Sequence, residues 1–363
     1  MTYKVSLAAV NVPEETYPMM EKALRAGKIG QTDLIEQFEN ALATYVGSEY
    51  CIAVSNGTMA DAVAVAAMKT YYKYSKSVVV PALTFIAQPN SILYSGMEVV
   101  FADVKEDWTI DLSYVHPTNY LYTIVFSTDI MGRVVPNHTE IEDACEAFGS
   151  KYQGKFAGTF GLMGTYSFFP SHTISTGEGG AIVTNDPNLA RLCRSIRAHG
   201  STTTDPMNKF HFTNFGFNAR LSSLQAVLGI CLMKHVDEYV AIRRKNFRIM
   251  QKGLGGFYEQ KDEEIVPHGY PVEFVTEKTR DAAMKNILEA GIECRKFFSC
   301  IPLEEVHYMR VGKFPVAEHI SHTHLYVPCH QNMTTPDVDY VIQIVCEQQG
   351  RVRKYDPEEL LEC

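Results

Sequence analysis

Two short runs rich in strand-forming residues, Gly164-Thr165-Tyr166-Ser167-Phe168-Phe169 and Ala181-Ile182-Val183-Thr184, enclose Pro170-Ser171-His172 and the turn Gly177-Glu178-Gly179-Gly180. The local pattern is two strands joined through a glycine-rich turn. A histidine beside such a turn is by default a surface residue or a satisfied core residue. The flanks decide what the segment belongs to.

Toward the N-terminus, further short runs recur at Glu49–Val54, Ser77–Val80, Val99–Val104 and Leu121–Phe126. They alternate with helical or loop segments, including an alanine-rich helix over Ala60–Lys69. That alternation predicts a mostly parallel sheet with helices on its faces, an α/β architecture. The first stretch, Glu14 to Tyr45, has helical periodicity broken by a loop at residues 27–32. Toward the C-terminus, Leu221 to about Leu254 reads as one long helix. Strand, helix, strand and helix patterns follow at Gly269–Val275, Thr279–Ala290, Thr323–Val327 and Thr335–Gln348. The division this predicts is a large α/β domain over residues 1–245 and a smaller α+β domain over residues 246–363.

The chain has 363 residues, 46% of them hydrophobic, enough for a large core and more than one domain usually holds. Its formal charge is −9, with no basic run of the kind that tracks phosphates, which argues against nucleic acid as a partner. The cluster Arg243-Arg244-Lys245 lies in a helical pattern and reads as a solvated face. No apolar stretch approaches the roughly 18 residues of a membrane span, and the N-terminus lacks the layout of a signal peptide. Nine cysteines are scattered without a CxxC pair. Reduced, buried thiols in a cytoplasmic protein are therefore expected, and no metal or iron–sulfur site.

Three segments carry chemistry. In Val54-Ser55-Asn56-Gly57-Thr58-Met59 a strand ends, a glycine permits a tight turn, and a helix starts with free N–H groups suited to an anion such as phosphate. The structural alternative makes Thr58 a simple N-cap. In Ile141-Glu142-Asp143-Ala144-Cys145-Glu146-Ala147, an aspartate would sit at the carboxyl edge of a parallel sheet, where α/β ligand sites lie. It could pair there with a protonated ring nitrogen, or it could cap the next helix. The third segment is the His172 region itself.

The order and wording of these segments resemble the DegT/DnrJ/EryC1/StrS family of sugar-modifying pyridoxal-phosphate enzymes. The resemblance extends through Val80-Pro81-Ala82-Leu83-Thr84-Phe85, Arg197-Ala198-His199-Gly200, Gly216-Phe217-Asn218-Ala219-Arg220-Leu221, Phe314-Pro315-Val316-Ala317-Glu318 and Pro328-Cys329-His330. It implies a fold-type I pyridoxal-phosphate transferase with a mostly parallel mixed sheet and a smaller C-terminal α+β domain. It implies that Gly57, Thr58 and Ser167 lie at the cofactor phosphate, that Met59 beside them also belongs to the cofactor site, and that Phe85 stacks on the ring. Asp143 would meet the ring nitrogen and Glu146 the ring hydroxyl. Asn218 would reach the cofactor of a neighbouring subunit, making a homodimer the working unit. Core packing for Phe85 and loop capping for Asn218 are the alternatives. Lys28, Gln31, His211, His307 and His330 are candidate pocket residues by position.

In the aminotransferases of this family a lysine that binds the cofactor covalently stands where His172 is found here. An imidazole cannot make that bond, but it can act as a base near neutral pH. The replacement resembles the 3-dehydratases of this family, which remove the C3 hydroxyl from nucleotide-linked 4-keto-6-deoxyhexoses. Those enzymes usually carry a second histidine, where this chain has Thr173. The implied cofactor is pyridoxal 5'-phosphate, working through pyridoxamine 5'-phosphate. The lack of closely spaced cysteines favours glutamate as amino donor over an iron–sulfur reductase. Two alternatives stand beside the dehydratase: an aminotransferase with His172 as base, and a non-catalytic family member acting as scaffold or regulator. One departure is structural. The segment between Leu121–Phe126 and Asp143 contains Gly132 and Pro136, so an irregular connection is expected where the family has a helix.

Overall fold

The computed structural model describes residues 3–8, 10–114, 123–136, 139–202, 207, 210–306 and 312–351. Helices α1 (Thr16–Arg25) and α2 (Asp33–Val46) lead into strand β1 (Tyr50–Val54) and helix α3 (Gly57–Tyr71). Then come β2 (Ser77–Pro81), α4 (Ala87–Tyr94), β3 (Glu98–Ala102), β4 (Thr123–Thr128) and β5 (Ile141–Asp143). The short pair β6 (Lys151–Tyr152) and β7 (Lys155–Phe156) precedes β8 (Met163–Ser167), β9 (Gly180–Thr184) and α5 (Pro187–Arg197). Helices α6 (Ser223–Met233) and α7 (Val236–Leu254) follow. The remainder is β10 (Glu263–Glu264), β11 (Tyr270–Glu273), α8 (Glu277–Glu289), β12 (Arg295–Lys296), α9 (Pro315–Thr323), β13 (His324–Val327) and α10 (Thr335–Gln348).

The central sheet has seven strands in the order β1-β9-β8-β5-β4-β2-β3. The pairs β3–β2, β2–β4, β4–β5 and β5–β8 are parallel. Strand β9 runs antiparallel to both β8 and β1. The sheet is thus mixed but mostly parallel, as the alternation of short runs predicts. It is buried on both faces, as parallel sheets require. Successive β1 residues show why: Ile52 and Val54 join the core formed with α3, while Cys51 and Ala53 join the core formed with α2 and α6. A second sheet of three strands, β11-β13-β12, packs with α8 in the C-terminal part, and α10 packs on α7 and α8.

Two expectations need correction. The stretch from Leu221 is two helices, α6 and α7, interrupted at Lys234 and His235. Neither a glycine nor a proline marks the break, and apolar periodicity continues across it. Residue 245 falls inside α7. The cluster there is a solvated face only in part: Lys245 is exposed and Arg244 half-buried, but Arg243 is 1% exposed and lies on the inner side of α7 with Asn246, Phe247 and Met250.

Between β4 and β5 no α-helix forms among the described residues, as Gly132 and Pro136 suggest. A short 3₁₀ turn, Ile130–Gly132, is followed by extended chain. Buried groups pin the connection. Asp129 Oδ1 accepts from Val135 N at 2.8 Å, Arg133 pairs with Glu263, and Glu263 Oε1 accepts from Val134 N at 3.0 Å. Asp143 therefore ends β5 in register with Thr128 on one side and Thr165 on the other.

Candidate active site

In a parallel sheet the side chains that end the strands share one edge. Here β1 ends at Val54, β5 at Asp143 and β8 at Ser167, and the reversed strand β9 begins at that edge with Gly180 opposite both Val54 and Ser167. The turn from β1 into α3 is packed tightly against its neighbours. A Cβ placed on Gly57 would lie 2.7 Å from Ser167 Cβ, and one on Gly180 would lie 2.5 Å from the Asn56 carbonyl. Only glycine allows these approaches. Gly180→Ala is expected to push the start of α3 outward and cost about 1–3 kcal/mol in urea unfolding, with loss of any ligand held there. Gly30→Ala, where nothing lies within 4 Å, serves as the neutral control.

The N-cap of α3 is Asn56, whose Oδ1 accepts from Met59 N at 2.8 Å. The reading of Thr58 as cap is thus corrected: the side-chain oxygen that best reaches the third helical N–H belongs to Asn56. Met59 has its amide satisfied by that bond. The N–H groups of Gly57 and Thr58 and the Thr58 hydroxyl find no acceptor or donor among the described residues. The helix opens on two free N–H groups at its positive end, which suits a phosphate.

Asp143 is buried, and its Oδ1 accepts from Cys145 N at 3.0 Å. A turn rather than a helix follows, so the helix-cap alternative does not hold. Burial raises its carboxyl above the usual carboxylate range. Glu146 is also enclosed. Its Oε2 accepts from Met131 N at 2.9 Å, and burial pushes it up to about 8. Phe85 is 53% exposed, so the core-packing alternative fails for it. Its loop is held from below by a buried cluster in which Gln88 Oε1 accepts from Thr84 at 2.5 Å and from Thr128 at 2.8 Å.

His172 lies in the loop between β8 and β9. Its Nδ1 is buried without a partner, and its ring is 5.0 Å from that of His268. Burial, aided by the Arg243 cation, lowers its pKa to about 3, so the imidazole is neutral at physiological pH. Nε2 of His268 is 3.5 Å from Glu146 Oε1. The half-buried His172 and Glu146 and the buried His268 thus form a string beside Asp143. Arg243 fixes its backbone: Nη2 donates to His172 O at 3.1 Å, Nη1 to Pro267 O at 2.8 Å, and Nε to Gln331 Oε1 at 2.7 Å. Arg243→Met is expected to lower stability by about 2–4 kcal/mol in urea and to loosen His172, because two buried carbonyls lose their donor. Thr173, where a second histidine is usual, is buried and donates to Phe148 O at 3.2 Å.

Asn218 is exposed, and its Oδ1 accepts from Arg220 Nη2 at 3.0 Å. It does not join the cluster within this chain. Among the positional candidates, Lys28 pairs with Asp33 at 2.6 Å on the surface, and Gln31 and His211 are exposed. His330 is buried and bonded to Ser6 O at 2.8 Å. His307 lies outside the described residues. Sequence reasoning passes over His268 and Asp61. Asp61, on α3, accepts from Thr165 Oγ1 at 2.8 Å, and one of its oxygens lies within 4.8 Å of both Asp143 and Cys145.

Free N–H groups at a helix start, an exposed aromatic ring, buried carboxylates without a cation and an unpartnered imidazole meet at one sheet edge. Such a set fits a flat, phosphorylated, nitrogen-protonated ring. Comparison with known proteins agrees. The profile of the DegT/DnrJ/EryC1/StrS aminotransferase family matches residues 11–135 and 138–346. The chain belongs to this family, whose members are pyridoxal-phosphate-dependent enzymes acting on sugars. It is 33% identical to GDP-perosamine synthase of Caulobacter vibrioides, over 85% of this chain and 88% of that protein. It is 29% identical to GDP-4-keto-6-deoxy-D-mannose 3-dehydratase of Yersinia pseudotuberculosis, over 90% and 94%. Its fold matches Helicobacter pylori PseC, an aminotransferase of pseudoaminic acid biosynthesis, with a TM-score of 0.86 at 22% identity, covering 96% of this chain and 100% of that one. No helix among the described residues is long and apolar enough to cross a membrane.

Proposed function

We propose that the chain is a pyridoxal-phosphate-dependent 3-dehydratase of a nucleotide-linked 4-keto-6-deoxyhexose, with glutamate as amino donor. The observation that supports this reading is His172: a half-buried imidazole, neutral at physiological pH and with its Nδ1 enclosed, stands where the resemblance puts the lysine of the family's aminotransferases. Gly57, Thr58 and Ser167 hold the phosphate, with Met59 beside them, its own amide taken up by Asn56; Phe85 covers the ring, Asp143 meets the ring nitrogen and Glu146 the ring hydroxyl. When bound, the cofactor in its amine form supplies an electron sink next to the sugar carbon that loses its hydroxyl.

The chain's own residues supply the rest. His172, un-ionised, has a lone pair with which to accept a proton from carbon and return it to the leaving oxygen. Arg243 keeps the loop bearing His172 and the segment bearing His268 at fixed separation. A lysine at position 172 would compete for the cofactor and favour transamination, and histidine removes that competitor. Residues 1–245 form the cofactor-binding domain in this reading, and the part from 246 covers it, bringing His268 to the site.

We further propose a homodimer with shared sites. Phe210, Phe212 and Phe215 are 82%, 53% and 100% exposed in the stretch leading to Asn218, a surface suited to a second copy of the chain. A cytoplasmic location accords with the buried, free thiols among the described cysteines.

A second reading is an aminotransferase using His172 as its base. The similarity to GDP-perosamine synthase and to PseC favours it. Incubation with pyridoxal phosphate, glutamate and a panel of nucleotide 4-keto-6-deoxyhexoses separates the two. Mass spectrometry should show loss of the C3 oxygen with release of ammonia. A sugar that gains nitrogen instead establishes the second reading.

A further inference from the structure

Asp61 belongs to no part of the scheme above. It sits one turn into α3, the helix whose N-terminus forms the phosphate seat, and is 2% exposed. Thr165 on β8, the register partner of Asp143, donates its hydroxyl to Asp61 Oδ1 at 2.8 Å. One oxygen from each of Asp61 and Asp143 and the Cys145 sulfur lie within 4.8 Å of one another. The groups that face this pair are Thr165 on β8, Cys145 and Glu146 in the turn after β5, and Asp129 just after β4. No lysine, arginine or histidine among the described residues acts on either carboxylate.

Two carboxylates this close and this far from water oppose each other's ionisation. Burial and the neighbouring Asp143 raise Asp61 well above the usual carboxylate range. A second acid is thus kept at a place where packing alone would choose an apolar side chain. The rest of the buried surface of α3 is alanine, valine, methionine and glycine.

We propose that Asp61 is a positioning residue which, with Asp143, forms a two-carboxylate receptor for a protonated ring nitrogen, making the empty seat less stable and the filled seat more stable. This rests on the proposal that pyridoxal phosphate places its nitrogen at Asp143. The second negative charge favours the protonated ring, the form in which the ring withdraws electrons. Asp61 does not touch the ring; it acts through Asp143.

The test is Asp61→Asn in the full-length protein, which keeps the shape and an acceptor for Thr165. In cofactor-free protein at pH 8, D61N should raise Tm by about 2–4 °C. The gain should shrink as pH falls toward 4. Below the ordinary aspartate pKa both states of the native protein carry the proton. As pH rises, the unfolded chain loses its proton first, so the cost of keeping Asp61 buried grows with pH. In cofactor-loaded protein the sign should reverse. D61N should weaken retention of pyridoxal phosphate about tenfold, lower Tm relative to the loaded native protein, and move the pH titration of the bound chromophore to lower pH. Asp61→Leu, closer to a packing residue, should stabilise the empty protein in the same direction. If D61N lowers Tm equally in both states, or if neither variant folds, Asp61 is a structural carboxylate and the proposal is overturned. Native protein that fails to retain pyridoxal phosphate at all sinks the functional reading instead.

Discussion

Replacing His172 with glutamine is expected to cut turnover by about 10²–10⁴-fold while leaving the cofactor in place. Glutamine can fill much of the space and form hydrogen bonds, but it cannot exchange a proton at neutral pH. The backbone of residue 172 keeps its anchors, since its N–H donates to Phe169 O at 3.0 Å and its carbonyl accepts from Arg243. The seat formed by Gly57, Ser167 and Asp143 lies on other elements and should be unaffected. Initial rates measured beside cofactor retention after gel filtration check both halves. An unchanged rate would move the base to another residue, with His268 the next to examine. His172→Lys is the companion: borohydride should then fix the cofactor to residue 172, as it should not in the native chain without amine donors.

Asp143→Asn is expected to weaken pyridoxal-phosphate binding by about 30- to 4,000-fold, the range for truncating one partner of a buried, hydrogen-bonded charge pair. Asparagine can still accept from Cys145 N, so the turn after β5 should persist. What it lacks is the negative charge that a protonated ring nitrogen needs away from water. Burial already holds the Asp143 carboxyl above its ordinary range, so the empty seat bears a cost that asparagine removes. The cofactor-free variant should therefore melt no lower than the native protein. Equilibrium titration by absorbance, with Tm of the empty protein, separates a binding defect from a folding one.

The sheet and its edge are readable from sequence because β-branched runs alternate with helical ones, and a parallel sheet sends its loops to one side. Gly57, Asp143 and Ser167 fall at strand ends, so local pattern and resemblance point to the same positions. The irregular link before β5 is foreshadowed by Gly132 and Pro136. The break between α6 and α7 is not, because no residue there interrupts the helical pattern. Arg243 reads as a surface cation because residue type predicts exposure; only the docking of α7 against His172, Pro267 and Gln331 shows that its donors are used inside. His268 has no motif around it, and its role depends on how the C-terminal part folds over the sheet. Asp61 did leave a signal: a single acid in an alanine- and valine-rich helix that is apolar on nearly every side. Local reasoning can see that anomaly but not the carboxylate facing it, which comes from a strand 82 positions later.

A crystal structure of the full-length protein with pyridoxamine 5'-phosphate most directly tests the placement on which these expectations depend. The phosphate should lie on the N–H groups of Gly57 and Thr58, the ring against Phe85, and an Asp143 oxygen about 3 Å from the ring nitrogen. The His172 imidazole should face the carbon that bears the amine. A ring seated elsewhere, or His172 turned away from that carbon, would contradict it.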